Sequence, residues 1–280
     1  MQVAEFHYKV AWRARGSYPG HHASRQQGGG LQFRHHVPLI DAPDPRRFDV
    51  FASLRDPFEQ IQARVYEQSS AIAVYVIADL SASMQFGGVH SKLSRVADFA
   101  ACLSYSARRT GDAFGFIGCR DAQSPPIVAL PSVHPAAALA VVAQLRARPP
   151  LGRHAEGLLA ATALLGARRA LVFLLSDFHF PDALLTAVLA SLAAHDVVPV
   201  MLRDRHEYAE LPRVGLARVR DPETGQSRLL FMRPGLKQRI AENFLARQRA
   251  QSRLLSQAGR PPLLLQDEFR PDEVTRYFFG

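Results

Sequence analysis

The most informative stretch of the sequence is Ala71-Ile-Ala-Val-Tyr-Val-Ile-Ala-Asp-Leu-Ser-Ala-Ser83. Its first part, residues 71–78, is a continuous apolar run rich in β-branched side chains, which is typical of a strand buried on both faces. Asp79, Ser81 and Ser83 follow directly, so one carboxylate and two hydroxyls share a single turn. In open parallel sheets, ligands bind outside the carboxyl ends of the strands. This turn is therefore the first candidate for a functional site.

Apolar and amphipathic segments alternate beyond this stretch. Strands are predicted at 113–118, 126–130, 170–175 and 197–202, and helices at 91–109, 135–146, 155–165 and 182–194. Strands that alternate with helices indicate a mostly parallel sheet that is covered on both faces. We therefore predict an α/β fold, with a Rossmann-like doubly wound domain over residues 66–205.

Two regions of different character flank this domain. Residues 1–65 are rich in Gly, Pro, His and Arg, which predicts an irregular or short-stranded N-terminal region. The C-terminal extension, residues 206–280, is predicted to contain two short strands at 216–219 and 228–232, with a turn between them at 221–225. A long amphipathic helix is predicted to follow at 236–257.

The composition indicates a globular protein, since 48% of the 280 residues are hydrophobic and 21% are charged. Disordered and fibrous classes are thereby excluded. The two cysteines, Cys102 and Cys119, stand apart in apolar surroundings. This excludes a disulfide framework and a cysteine-built zinc site, and it favours a reducing compartment. Because the apolar runs are far shorter than the ~20 residues of a spanning helix and no apolar leader core is visible, we expect a cytoplasmic protein without membrane insertion.

The net charge is +9, and the sequence pI is about 10.1. Nearly all basic residues are arginines spread along the chain, because lysine occurs only as Lys9, Lys92 and Lys237. A dispersed arginine excess is typical of a solvated surface. An acidic protein partner stays open as an alternative, and a nucleic-acid groove is less favoured because no single basic block exists.

A second carboxylate is predicted at the same edge of the sheet. The strand at 170–175 is followed by Ser176 and Asp177, so Asp177 is expected near Asp79, Ser81 and Ser83. Carboxylate and hydroxyl oxygens are ligands that suit Mg²⁺. The same residues can alternatively serve only to cap the next turn and helix.

The motif Asp79-Leu-Ser-Ala-Ser-Met84, followed by Phe86-Gly87, resembles the metal-ion-dependent adhesion site (MIDAS) of von Willebrand factor A (vWA) domains. More narrowly, the chain resembles the bacterial MoxR-associated family of vWA-domain proteins, a family of unknown function. Within that family it is most similar to the short S-type accessory proteins of methanol-dehydrogenase gene clusters. The other matching motifs, which together cover nearly the whole chain, are Gly28-Gly-Gly-Leu-Gln-Phe33, Asp44-Pro-Arg-Arg-Phe-Asp49, Arg64-Val-Tyr-Glu-Gln68, Arg220-Asp-Pro-Glu-Thr-Gly225 and Tyr277-Phe-Phe279.

The sequence departs from the adhesion-site pattern in one loop. The resemblance implies a threonine ligand there, but the corresponding loop is Pro149-Pro-Leu-Gly-Arg-His-Ala155, in which His154 takes its place. Histidine is a poor Mg²⁺ ligand and suits Zn²⁺, Mn²⁺ or Ni²⁺ better. We therefore expect a weakened Mg²⁺ site or none, and we expect His154→Thr to improve Mg²⁺ binding. In a smaller departure, Val50 stands where family members usually have an aromatic residue.

What the resemblance implies is a non-enzymatic protein-binding role. The chain would act as an adaptor with a MoxR-type AAA+ ATPase, in the maturation or metal loading of a client enzyme. Under the narrower resemblance, that client is methanol dehydrogenase, which carries Ca²⁺ and pyrroloquinoline quinone. Two alternatives stay open: a metal-dependent phosphoesterase built on Asp79 and Asp177, and a nucleic-acid-binding protein. A phosphoesterase usually also needs a general base and a phosphate clamp, and neither is recognisable near these loops.

Overall fold

A computed structural model of the chain shows two compact units. One unit contains the described residues up to Tyr8 together with Ala73–Arg109 and Ala113–Gly280, and the other contains Lys9–Ile72 and Thr110–Asp112. Residues 206–280 thus share a unit with the central sheet, and the division into three functional parts at 65 and 205 stays a prediction. The structure describes residues 5–14, 19–85, 91–147, 152, 154–204, 212, 214–220, 226–257 and 259–280.

The smaller unit contains an antiparallel strand pair, β1 (Pro19–Pro38) and β2 (Gln62–Ser70), with several irregularities in register. A 3₁₀ turn (Pro45–Arg47) and a short helix, α1 (Val50–Leu54), lie between these strands in the chain. The prediction of an irregular or short-stranded region was therefore wrong for residues 19–38. Gly, His and Arg obscure the period-two alternation of this strand, so the sequence carries no clear strand signal there.

Asp49 organises the segment between these strands. Its side chain caps α1 by accepting a hydrogen bond from the Ala52 amide (3.1 Å), and it also binds Arg64 (2.7 Å) and His36 (3.0 Å). The hydrogen bond from Arg64 is the largest cause that holds the pKa of Asp49 well below its ordinary value. One carboxylate thus connects the helix start to both strands.

The larger unit is built on a six-stranded sheet with the strand order β10-β7-β6-β3-β4-β5. All neighbouring pairs are parallel except β4 and β5, which are antiparallel. This confirms the α/β fold with a mostly parallel sheet. The strands are β3 (Ala73–Asp79), β4 (Ala113–Cys119), β5 (Ile127–Ser132), β6 (Leu171–Ser176), β7 (Asp196–Arg203) and β10 (Leu263–Gln266).

The strand order reverses between β3 and β6. From β3 the chain moves outward through β4 to β5, and it then returns to β6 on the other side of β3 and moves outward through β7 to β10. Such a reversal leaves a crevice at the carboxyl ends of the two central strands. Asp79 ends β3 and Ser176 ends β6, so the candidate residues lie at this switch point.

The following helices lie at predicted segments, with ends that differ by a few residues: α2 (Lys92–Thr110), α3 (Ala136–Ala147), α4 (Gly157–Thr162), α5 (Asp182–Ser191) and α6 (Pro234–Gln257). The C-terminal helix α7 (Pro271–Phe279) was not predicted. A hairpin of β8 (Gly215–Arg220) and β9 (Ser227–Met232) precedes α6, and the turn predicted at 221–225 lies outside the described residues. The strand β10 was not predicted.

Both faces of the sheet are covered, because successive side chains of a strand point to opposite faces. Val172 and Leu174 of β6 enter a buried cluster that also contains Leu158 of α4, Leu185 of α5 and Leu255 of α6. On the other face, the Phe173 ring lies 5.2 Å from that of Phe99 in α2, 6.1 Å from that of Phe278 in α7 and 6.2 Å from that of Phe6.

Candidate functional site

The turn after β3 is tied to the neighbouring strand through Asp79, which is fully buried. Its Oδ1 accepts a hydrogen bond from the Ser81 amide (2.9 Å), and its Oδ2 accepts one from the Ser176 hydroxyl at the end of β6 (2.7 Å). Burial, together with the negative charge of nearby Asp177, raises the pKa of Asp79 to about 6. The ends of the two central strands are therefore joined by one carboxylate.

Two serines connect the aspartates. The hydroxyl oxygens of Ser81 and Ser83 are 3.1 Å apart, and the Ser83 hydroxyl donates to Oδ1 of Asp177 (3.3 Å). None of these residues is more than 3% exposed. The structure thus brings together four predicted site residues, which we call the aspartate–serine cluster: Asp79, Ser81, Ser83 and Asp177.

The negative charge of Asp177 is paired with a lysine. Nζ of Lys92, the first residue of α2, donates to Oδ2 of Asp177 (2.6 Å) and contacts the carbonyl oxygen of Ser83 (3.4 Å). Both charged side chains are completely shielded from solvent. Burial alone would raise the pKa of Asp177, but the Lys92 ammonium holds it below its ordinary value. A positive charge is therefore already bound to the aspartate–serine cluster.

A histidine and an arginine extend this network beyond Asp177. The His179 amide donates to Oδ1 of Asp177 (3.1 Å), and Nε2 of its ring lies 2.9 Å from a guanidinium nitrogen of Arg203. Burial lowers the pKa of His179 to about 4, so its imidazole is neutral at neutral pH. Because a guanidinium only donates, Nε2 accepts and the ring proton is on Nδ1, 3.5 Å from Oδ2 of Asp177.

The helix α6 is anchored at the same edge. The buried side chain of Gln251 donates to the carbonyl of Phe178 (2.6 Å) and accepts a hydrogen bond from Arg203 (3.1 Å). Phe178 directly follows Asp177 and has a φ of 55°, a left-handed conformation that residues with bulky side chains rarely adopt. Strained backbone of this kind persists only where its surroundings hold it in place. Here the contact from α6 helps to do so.

The contacts of His154 lie outside the aspartate–serine cluster. Its loop passes close to the turn after β3, because a Cβ added at Gly152 would lie 2.8 Å from the carbonyl oxygen of Leu80. His154 itself is exposed, and its amide donates to Asp121 (2.7 Å). None of the contacts described for His154 reaches the four residues of the aspartate–serine cluster. Residues 86 and 87 of the motif and residues 149–151 and 153 of the loop lie outside the described residues.

The arrangement does not fit a Mg²⁺ ion as it stands. Mg²⁺ requires six oxygen ligands at about 2.0–2.1 Å in near-octahedral geometry. All four carboxylate oxygens of Asp79 and Asp177 already accept hydrogen bonds, and the Lys92 ammonium supplies the compensating charge. Among the described residues, no group of three or more His, Cys, Asp or Glu side chains is placed to hold a metal ion.

Sequence reasoning missed the basic part of the site, which is Lys92, His179 and Arg203. One signal was available for Lys92, because it is one of only three lysines in an arginine-rich chain and opens the helix that follows the Asp79 turn. His179 stands two residues beyond Asp177, a spacing that carries no chemical meaning by itself. Arg203 ends β7, and its approach to β6 depends on strand order.

The sequence profile of the family described as "Protein of unknown function DUF58" matches residues 45–253. This is most of the chain, and the protein therefore belongs to the DUF58 family. A curated relative from Paracoccus denitrificans, described as an uncharacterized protein in the moxR 3′ region, is 41% identical over 95 residues. The match covers 34% of this chain and 90% of that relative.

Two solved structures match the chain at low sequence identity and with TM-scores below 0.5. The conserved hypothetical protein BatB from Bacteroides thetaiotaomicron has a TM-score of 0.43 and is 13% identical, over 75% of this chain and 100% of that one. An aerotolerance-related membrane protein from Bacteroides fragilis has a TM-score of 0.44 and is 12% identical, over 75% of this chain and 97% of that one. In the part of our chain that the structure describes, every helix is too short or too polar to cross a membrane.

Proposed function

We propose that this protein is a non-enzymatic adaptor that binds a MoxR-type AAA+ ATPase. Membership of the DUF58 family and the relative from the moxR 3′ region support the ATPase as partner. The observation that carries the non-enzymatic part is the sealed, charge-paired state of the aspartate–serine cluster. A reaction centre needs a crevice in which a substrate can reach polar groups. Here both carboxylates and Lys92 are fully buried. Lys92 binds Asp177, and Asp79 accepts hydrogen bonds from Ser81 and Ser176.

The finer parts of the proposal rest on the resemblance described above. We propose that the fold is of the vWA type and that the aspartate–serine cluster is a degenerate MIDAS with weak or no metal binding. A client enzyme such as methanol dehydrogenase, which the adaptor would help to mature or load with metal, belongs to the same proposal. A cytoplasmic location agrees with two buried thiols that form no disulfide.

The partner surface we propose is the C-terminal segment 226–257, which contains β9 and α6 and which we call the basic arm. It contains seven Lys and Arg residues but one acidic residue, Glu242. Apolar side chains are exposed among these charges, with Leu229 63%, Phe231 57% and Leu245 48% exposed. A surface that is both apolar and basic fits an acidic protein partner better than a nucleic acid. The phosphate backbone of a nucleic acid would pair with the arginines but would offer the exposed leucines no apolar partner. The ATPase would therefore present an acidic face to the basic arm.

Binding of the purified full-length protein to the MoxR-type ATPase of its own organism tests this function. We expect a complex whose affinity falls as salt concentration rises, because exposed charges are screened. The double variant Arg239→Glu/Arg249→Glu should weaken binding by about tenfold or more, since it sets like charges against each other. Isothermal titration calorimetry measures both effects.

The matched control is Arg168→Glu, which reverses an arginine that is likewise exposed, on a loop outside the basic arm. It should leave the affinity within about twofold of the wild-type value, because isolated surface charges contribute little. Failure of the wild type to bind the ATPase would overturn the adaptor function. Metal-dependent turnover of phosphoester substrates that Asp79→Ala abolishes would overturn the non-enzymatic part.

A further inference from the structure

We infer that the Lys92 ammonium is the resident cation of the aspartate–serine cluster and occupies the place that a divalent metal would otherwise take. Nζ of Lys92 lies 2.6 Å from Oδ2 of Asp177 and 3.4 Å from the carbonyl oxygen of Ser83. These are oxygens of the very turn and strand end that the motif assigns to a metal. The side chain is fully enclosed, so it is part of the site and not a mobile neighbour.

The oxygens that a metal would need are already occupied. Lys92 neutralises Asp177 through a 2.6 Å contact between two side chains that are completely shielded from solvent. Both carboxylate oxygens of Asp79 accept hydrogen bonds, one from the Ser81 amide and one from the Ser176 hydroxyl. A Mg²⁺ ion entering this space would have to displace the Lys92 ammonium from its contact with Asp177, in which both side chains are completely shielded from solvent. It would also have to break the hydrogen bonds that Ser81, Ser83 and Ser176 donate to the two carboxylates. Displacement of a buried, paired cation is costly.

This inference does not depend on the ATPase, because it concerns metal binding by the protein alone. If it is correct, hydrogen bonds and the Lys92–Asp177 ion pair hold the ends of β3 and β6 and the start of α2 together without a metal. Removing the lysine should then expose the latent metal site. The Asp177 carboxylate would lose its counter-charge, and this loss would provide the driving force for a divalent cation to enter.

The test is titration of Mg²⁺ into wild type and Lys92→Met, each freed of metal with a chelator and dialysed, by isothermal titration calorimetry and thermal unfolding. The wild type should show no binding heat and no shift of its melting temperature. Lys92→Met should bind Mg²⁺ at least about tenfold more tightly than the wild type and should melt at a higher temperature when Mg²⁺ is present. The double variant Lys92→Met/Asp177→Asn, which lacks both charges, should respond to Mg²⁺ as little as the wild type does.

Mg²⁺ binding by the wild type as tight as that of Lys92→Met would overturn the inference, and so would a folded Lys92→Met that gains no Mg²⁺ binding. If Lys92→Met folds only when Mg²⁺ is added, circular dichroism with and without the ion shows it, and that result supports the inference. If this variant folds under neither condition, the wild-type titration is decisive: binding of Mg²⁺ overturns the inference, and no binding upholds it.

His154→Thr provides a separate prediction. The motif alone leads us to expect better Mg²⁺ binding in this variant, but Lys92 remains in place. We therefore expect His154→Thr by itself to bind no more Mg²⁺ than the wild type, and Lys92→Met/His154→Thr to bind at least as tightly as Lys92→Met. The same calorimetric titration measures this. Tight Mg²⁺ binding by His154→Thr with Lys92 intact would show that the loop, and not the lysine, governs the metal.

Discussion

Replacing Asp177 with alanine should lower the free energy of unfolding by about 3–5 kcal/mol, because it leaves the Lys92 ammonium buried without its counter-charge. Both side chains are fully shielded from solvent and are 2.6 Å apart. The variant also removes the acceptor of the Ser83 hydroxyl and of the His179 amide. Urea denaturation measures the change, provided that the variant and the wild type have equal m values.

Two further variants separate charge from packing. Lys92→Met/Asp177→Asn removes both charges with little change of volume, so it should recover most of the stability that Asp177→Ala loses. Asp177→Asn alone should stay close to Asp177→Ala, since the lysine is still unpaired. Exposed ion pairs contribute less than about 1 kcal/mol to the free energy of unfolding. A decrease below that value for Asp177→Ala would therefore contradict the burial of this ion pair.

The acidic half of the site could be predicted because it depends on one strand end at a time. A continuous apolar run followed by Asp79 places that carboxylate at the carboxyl edge of a parallel sheet, whatever the other strands do. The same argument places Asp177. The basic half depends on which elements become neighbours. Lys92 looks like an ordinary polar residue at a helix start, and only the path of α2 past the cluster buries it.

The ends of the chain were unpredictable for a related reason. The strand β10 is four residues long and follows two prolines, so its local pattern is weak. Its parallel pairing with β7 in the central sheet is a property of the folded chain. Phe6 likewise belongs to a region whose composition predicts little structure, yet it is fully buried in the larger unit. Long-range pairing and burial leave little trace in short segments.

Replacing Phe6 with alanine should destabilise the larger unit by about 3–5 kcal/mol, the typical cost of removing a buried phenylalanine and leaving a cavity. Its ring lies 5.4 Å from that of Phe99, 6.2 Å from that of Phe173 and 6.5 Å from that of Phe269. Its amide donates to the Ser106 hydroxyl (3.0 Å), a bond that the alanine variant keeps, so the loss measures the ring alone. Thermal or urea denaturation gives the difference.

The matched control for Phe6→Ala is Phe279→Ala, at the end of α7, because Phe279 is 55% exposed. That substitution removes the same atoms from a position that is half in solvent, so it should cost well under half as much. Equal losses for the two variants would mean that the N-terminal segment does not complete the core of the sheet. A large loss for Phe6→Ala alone would show that the N-terminal segment, which composition assigns to an irregular region, is part of the core around β6. Because Asp177 directly follows β6, this segment would then also help to hold Asp177 in place.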